Sequence, residues 1–254
     1  QSLTRNPLAD PELLGVNAGA AAAVVTAISV FGITRPGGYL WFAFVGAAVA
    51  AIVVHLLGTS RRSAANPVRL VLAGAAVSAA LRSYVVALML ADPWAFNSFR
   101  YWDIGALTGR TLDEIGPISW FLIAGLVGML LLARPLNALT LGDAAAQGLG
   151  ANLLGIRVAG AVVIVLLCGA ATAAVGPIGF VGLAVPHLAR LAVGVDHRLG
   201  LPAAALLGAL LLMCADVLGR VIAWPQEVGV GIITAFVGAP VLIWLVRSRR
   251  AGRL

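Results

Sequence analysis

GPIGFVGLAVPHLARLAVGVDHR, residues 176–198, is an apolar stretch that carries Gly176, Gly179, Gly182, Pro177 and Pro186 together with two histidines and two arginines. Glycine and proline break up what would otherwise be one plain apolar helix. Within a bilayer, backbone freed in this way is tolerated only where protein or a water-filled cavity satisfies it. The stretch therefore belongs inside a helix bundle, beside a pathway or a subunit contact. The competing reading is a kinked structural helix packed through its glycines.

The rest of the chain gives that break its setting. Hydrophobic residues make up 61% of the 254 and charged residues 11%, against about 45–50% and about 25% in soluble domains. Mean hydropathy is +1.01 and the pI is near 10.9. The net charge is +7 and every basic side chain is arginine. These arginines sit between long apolar runs, so membrane topology explains them and nucleic-acid binding does not. Cys168 and Cys214 lie within apolar runs and read as small buried hydrophobes, without disulfide or zinc spacing.

A spanning helix needs about 20 mostly apolar residues. The runs 15–34, 39–58, 68–91, 117–133, 156–175, 177–195, 201–223 and 228–246 supply about eight transmembrane segments, the sixth unusually short. Residues 92–116 form the longest polar connection, with room for a short surface helix, and 134–155 are too polar and glycine-rich to span. Arg61, Arg62, Arg134, Arg157, Arg198 and the tail arginines fall on one side, which the positive-inside rule makes cytoplasmic. Aligning Pro7 with Pro186 brings Gly15-Val16-Asn17 onto Gly194-Val195-Asp196, a faint inverted repeat of the kind from which transporters build two gates.

Five stretches then agree in order and spacing with a known pattern: RNPLADPELLGVNAGA at 5–20, RPLNALTLGDAAAQGLG at 134–150, the 176–198 stretch, ADVLGR at 215–220 and EVGVGIITAFVGAPVLIWLVRSRR at 227–250. Over essentially its whole length the chain resembles the FecCD/BtuC-type permease subunits of type II ABC importers, which carry iron siderophores, haem or vitamin B12. The resemblance implies an all-α polytopic membrane protein, one transmembrane permease domain over 1–254 of a ten-helix fold, with cytoplasmic coupling helices. The family's permeases begin well before the NPLADP stretch, so the first helix and most of the second are expected to be missing here. The implied setting is the bacterial cytoplasmic (inner) membrane. The implied partners are cytoplasmic ABC ATPases, an extracytoplasmic substrate-binding protein, a second permease subunit and membrane lipid, with no nucleic acid and no cofactor.

Residue by residue, the resemblance places ATPase coupling at Leu141, Gly142, Ala145, Gly148, Leu149 and Gly150; an ordinary helical loop is the plain alternative. Asn6, Leu8, Asn66 and Pro67 match positions of the cytoplasmic gate, although Asn66-Pro67 replace small hydroxylic residues found in the vitamin B12 member. Helix capping explains both pairs equally well. Arg220 matches an arginine that docks the binding protein, and its spacing from Asp216 also makes an i,i+4 pair. Arg82 lies mid-span, where a lipid-facing arginine costs about 2.5–3.5 kcal/mol or more. It therefore faces protein or water; the resemblance implies that this helix lines the translocation pathway, with Ser78 near the same face, and the competing reading is an internal pair with Asp216 as the candidate.

No GxxxxGK[ST] phosphate loop occurs, so an ATP-driven process needs a separate ATPase chain. His55, His187 and His197 show no metal-ligand spacing. His55 reads as structural, and His187 after Pro186 as bonded to freed backbone. The alternative function is a stand-alone secondary transporter of a small solute. It would need acidic residues in the membrane, and only Asp216 qualifies. A membrane-embedded enzyme would need a nucleophile–base pair or metal cluster that the sequence does not offer.

Overall fold

The computed structural model describes residues 1–254 except 5, 7, 8, 34, 59–66, 110, 225 and 252–254. The described chain is helical throughout. A 3-10 turn, Pro11–Leu14, leads into α1, Val16–Ser29. Then follow α2 (Pro36–Gly58), α3 (Pro67–Ala91), α4 (Pro93–Asp103), α5 (Leu112–Thr140), α6 (Asp143–Gly148), α7 (Leu153–Val175), α8 (Val181–Val193), α9 (His197–Ile222) and α10 (Val230–Ala251).

Between membrane helices lipid is as apolar as leucine, so association depends on close packing at small residues. The α1–α2 pair shows this most clearly. Gly19 and Gly46 face each other so closely that a Cβ on either would overlap the other's backbone, and Ala20, Ala43, Ala47 and Ala50 pack around the crossing fully or almost fully buried. α1 is apolar all round and buried, which makes it the centre of the bundle. Outward-facing Val45, Val49, Ile52 and Leu56 on α2, and Leu206, Leu210, Met213 and Val217 on α9, remain exposed. Bands of this size suit lipid or another subunit.

Five helices are long and apolar enough to cross a membrane: Gly37–Gly58, Arg69–Ala91, Ile115–Thr140, Leu153–Val175 and His197–Ile222. Of the eight expected runs, three are shorter apolar helices within the described residues: Val16–Ser29, Val181–Val193 and Val230–Pro240. At ~1.5 Å per residue, α8 reaches ~20 Å, short of a ~30 Å hydrocarbon core. The expected end of the fourth run at residue 133 is also corrected. α5 continues through Pro135 to Thr140, because the Thr140 hydroxyl donates to the Asn137 carbonyl (2.7 Å) and closes the last turn. The surface helix expected within 92–116 is α4, started by Asp92, whose carboxylate accepts the Trp94 and Ala95 N–H groups (3.0 and 3.1 Å).

α7 contains one wider π turn, Val165–Gly169, whose buried Gly169 packs near Phe44 and Ala47 of α2. Cys168 sits in that turn, half-buried, whereas Cys214 is exposed on the apolar outer face of α9 and not buried as expected. Gly15 and Gly194, paired in the faint repeat, both adopt left-handed backbone (φ 73° and 82°) immediately after a helical segment.

Candidate functional site

At one end of the bundle, residues 141–150 form a small knuckle. Gly142 (φ 100°) and Gly150 (φ 81°) make the sharp turns that isolate α6, and a Cβ on Gly142, Gly148 or Gly150 would meet only open space. Ala146 is the buried foot, packed with Leu136, Leu139 and Ile156. The Asp143 carboxylate accepts two bonds from Nη2 of Arg157 on α7 (3.1 and 3.0 Å) and fixes the knuckle's angle. Leu141 and Leu149 point away from the bundle, 63% and 71% exposed, and Ala145 is exposed beside them. Two apolar anchors on a rigid turn of small residues form a contact surface, and nothing in the knuckle can perform covalent chemistry.

Beside the knuckle, α5, α9 and the N-terminal segment meet through polar side chains. Asn137 donates to the Asp196 carboxylate (2.6 Å), and its Oδ1 accepts the His197 N–H (2.9 Å) while lying 2.7 Å from His197 Nδ1. Ser2 Oγ lies 2.5 Å from His197 Nε2. Asp196 also accepts the Arg198 N–H at the start of α9 (2.9 Å); this bond and the one from Asn137 hold its carboxyl below the usual carboxylate range. No sequence signal connected Asn137 with His197, since the pair is 60 residues apart.

The His187 ring contacts a carbonyl other than the one that Pro186 frees, so the expected bond to freed backbone is corrected. Pro186 leaves the Gly182 carbonyl without its helical partner, and Gln1 Nε2 donates to that oxygen (3.2 Å). The His187 ring bonds one residue further on, to the Leu183 carbonyl (2.9 Å). His55 lies exposed in the last turn of α2. Among the described residues no group of three or more potential metal ligands converges.

Of the expected gate, Asn6 is half-buried in a turn, its carbonyl accepting from the Ala9 N–H (3.0 Å). Leu8 and Asn66 lie outside the described residues, and Pro67 is placed only as the first residue of α3.

Midway along α3, a cleft of about 420 Å³ opens between that helix, the Asp10–Leu13 turn and the start of α8. Ser78 and Arg82 line it together with Asp10, Glu12 and Phe180. Gly74 admits the turn, because a Cβ there would overlap the Leu13 carbonyl. Asp10 caps the turn by accepting the Glu12 N–H (2.8 Å), and burial pushes its carboxyl above the ordinary range. Arg82 Nη2 donates to Glu12 Oε1 at 2.8 Å. The internal partner expected at Asp216 is therefore corrected. Asp216 is held by Arg220, through Nε at 2.9 Å and Nη2 at 2.8 Å, and Arg220 also reaches the Thr108 hydroxyl (3.3 Å). The plain i,i+4 account of Arg220 is thus present in the structure. Glu12 escaped notice because it stands 70 residues from Arg82, in a segment that reads as a mere turn.

At the end of the bundle opposite the knuckle, the broken backbone of 176–180 is held by close approach. Ala106 N–H donates to the Val175 carbonyl (2.9 Å), Gly231 N–H to Gly105 (3.3 Å) and Val228 N–H to Gly219 (3.2 Å). A Cβ on Gly176 would overlap the Trp102 carbonyl, one on Gly219 the Val228 carbonyl, and one on Gly231 would crowd the Ile104 carbonyl. At the start of the break the Val175 carbonyl is thereby satisfied inside protein, as a membrane requires.

Among the described residues, a helical bundle with five crossing-length apolar helices and an open cleft that carries Asp10, Glu12 and Arg82 is the architecture of a polytopic membrane protein. Residues 1–248 match the FecCD transport family, and the chain belongs to it. The ferric enterobactin transport system permease protein FepD of Escherichia coli (strain K12) is 46% identical over 99% of this chain and 75% of its own length. The hemin transport system permease protein HmuU of Yersinia pestis is 38% identical over 100% and 77%. A solved structure described as an inward-facing conformation of a metal-chelate type ABC transporter superposes with a TM-score of 0.87 at 27% identity, covering 97% of this chain and 79% of that one.

Proposed function

We propose that this chain is the membrane-spanning subunit of an ATP-driven importer that carries a ferric siderophore or a related chelate, haem and cobalamin included, across the bacterial cytoplasmic membrane. The observation that carries the reading is the knuckle at 141–150, an exposed pair of leucines on a rigid turn braced by Asp143 and Arg157. Such a surface fits a groove on a cytoplasmic ATPase, with Gly142, Ala145, Gly148 and Gly150 allowing close docking. The permeases it resembles, named for ferric enterobactin and hemin, support the cargo class.

In this reading cargo arrives from an extracytoplasmic binding protein, for which Arg220 is a docking charge only 48% exposed and shared with Asp216. It passes Ser78 and Arg82 and leaves past a cytoplasmic gate to which the sequence assigns Asn6, Leu8, Asn66 and Pro67. The exposed apolar faces of α3 and α9 face a second permease subunit or lipid. The bundle alternates between outward- and inward-open states, and work at the knuckle shifts that equilibrium. A secondary transporter driven by ions would need an uncommitted acidic residue in the membrane, whereas Asp216 is paired with Arg220, Glu12 with Arg82, and Asp10 caps its own turn.

The test is Gly148→Glu in the reconstituted complex. Gly148 faces open space, so bulk and charge are accommodated in the permease but not beneath a docked ATPase. ATP hydrolysis is expected to continue while transport falls at least about tenfold, the loss that ~1.4 kcal/mol of docking energy produces. Unchanged transport would refute the assignment of the knuckle.

A further inference from the structure

The cleft beside α3 holds one cation, Arg82, and the structure shows how that cation is used. Its side chain is 66% exposed and makes a single ion pair, Nη2 to Glu12 Oε1 at 2.8 Å. A guanidinium carries five donors in a planar fork, so one contact to one carboxylate oxygen leaves further donors on a side chain that is mostly exposed and lines the cleft. Glu12 is itself 43% exposed. Its backbone is fixed, because Asp10 caps the turn at the Glu12 N–H and the Gly15 N–H returns to the Glu12 carbonyl (3.0 Å). The Asp10 carboxylate is thus engaged with backbone.

We infer that these further donors of Arg82 form a transient subsite for an anionic oxygen of the cargo, such as a carboxylate or catecholate, and that Glu12 positions Arg82 and weakens that hold so that the cargo is released onward. This rests on the chelate-importer reading and adds the device that sets how strongly the pathway grips charge. Permeation requires binding favourable enough to enter and weak enough to leave. A bare arginine in a half-enclosed cleft would trap a polyanion. An arginine already sharing its charge with a tethered carboxylate offers geometry at reduced strength. Exposed pairs of this kind exchange readily because each is worth little.

The experiment measures retention of radiolabelled iron by the permease–ATPase complex in nanodiscs, without a binding protein. The probes are anionic ferric citrate and an uncharged ferric trihydroxamate. Arg82→Gln is expected to weaken ferric citrate binding about tenfold, the scale of one charge-assisted hydrogen bond, and to leave the trihydroxamate unchanged. Arg82→Lys should recover part of the loss. Glu12→Gln should tighten ferric citrate up to about fivefold and slow its ATP-driven release, and the double variant should behave as Arg82→Gln alone. Equal shifts for both chelates, or a Glu12→Gln effect that persists without Arg82, would overturn the inference while leaving the importer intact. A wild-type complex that moves neither chelate on ATP addition, even when a binding protein is supplied, would overturn the importer reading and this inference with it.

Discussion

The two ends of the bundle are built on opposite principles. Around Gly105, Gly176, Gly219 and Gly231 the chain is joined by backbone touching backbone, and the joint exists because side chains are missing. At the other end, Asn137, Asp196, His197 and the Asp143–Arg157 pair join helices through particular polar atoms. The first kind of joint is all-or-none, since any added carbon collides with a carbonyl that has nowhere to move. The second is graded, since each bond can be lost singly and water can replace it. If the drive arrives at the knuckle, as proposed, the adjustable contacts lie there and the fixed ones at the far end.

This contrast can be broken most violently at Gly176. With φ 84° and the Trp102 carbonyl in the way of any Cβ, Gly176→Ala combines left-handed strain with overlap. A loss of about 3 kcal/mol or more is expected, read as a fall in the thermal midpoint of the purified complex. A shift under about 1 kcal/mol would mean the joint is looser than described. Asn137→Ala comes next. It removes the bonds to Asp196 and to the His197 backbone, which water can partly replace, so a fall in the thermal midpoint smaller than that of Gly176→Ala is expected.

Asp143→Asn is milder. The pair is partly exposed, 41% and 36% at its two side chains, so a stability change of only about 0.2–1 kcal/mol is expected. Coupling of hydrolysis to transport should suffer more than stability does, because the knuckle's angle is what the pair holds. The smallest effect concerns pH. Asp196 has a folded pKa below its unfolded value, so its stabilising contribution is present above that unfolded value, about 3.9, and fades as pH falls through the folded one. The midpoint difference between wild type and Asp196→Ala should therefore be constant from pH 6 to 8 and shrink as the pH is taken below about 4. A difference that grew on acidification would contradict the bonding described.

Membrane class, helix count to within the short elements and the position of the knuckle were legible because they rest on local properties: apolar run length, glycine placement and arginine bias. The break at 176–180 was legible for the same reason. Pairings were not. Arg82 announced itself as a charge that must have a partner or water, but Asp216 was chosen because it lies in an apolar run, while Glu12 lies in a turn that only the fold brings alongside α3. Likewise the polar, glycine-rich character of 134–155 set the end of the fourth run at 133, yet the helix continues to Thr140, where Asn137 and Thr140 make their bonds. Gate residues Leu8 and Asn66 stay as sequence inferences.

The π turn in α7 has a further consequence, one of counting and not of chemistry. Val165–Gly169 winds one residue more into its turn than an α-helix would, and each residue of a regular helix advances its face by about 100°. The segment before it lays Ile156 and Gly160 against α5 and the N-terminal residues, while the segment after it turns Thr172 to donate to Asn17 on α1 (3.0 Å) and buries Ala173 near α4. The two halves are thus in different rotational frames, reconciled by a single inserted position. Exchanging the side chains of that turn leaves the frame intact. Removing any one of its five residues would swing Thr172 away from Asn17 by about a quarter of a circle, so at this place chain length is the constrained quantity and amino-acid identity the free one.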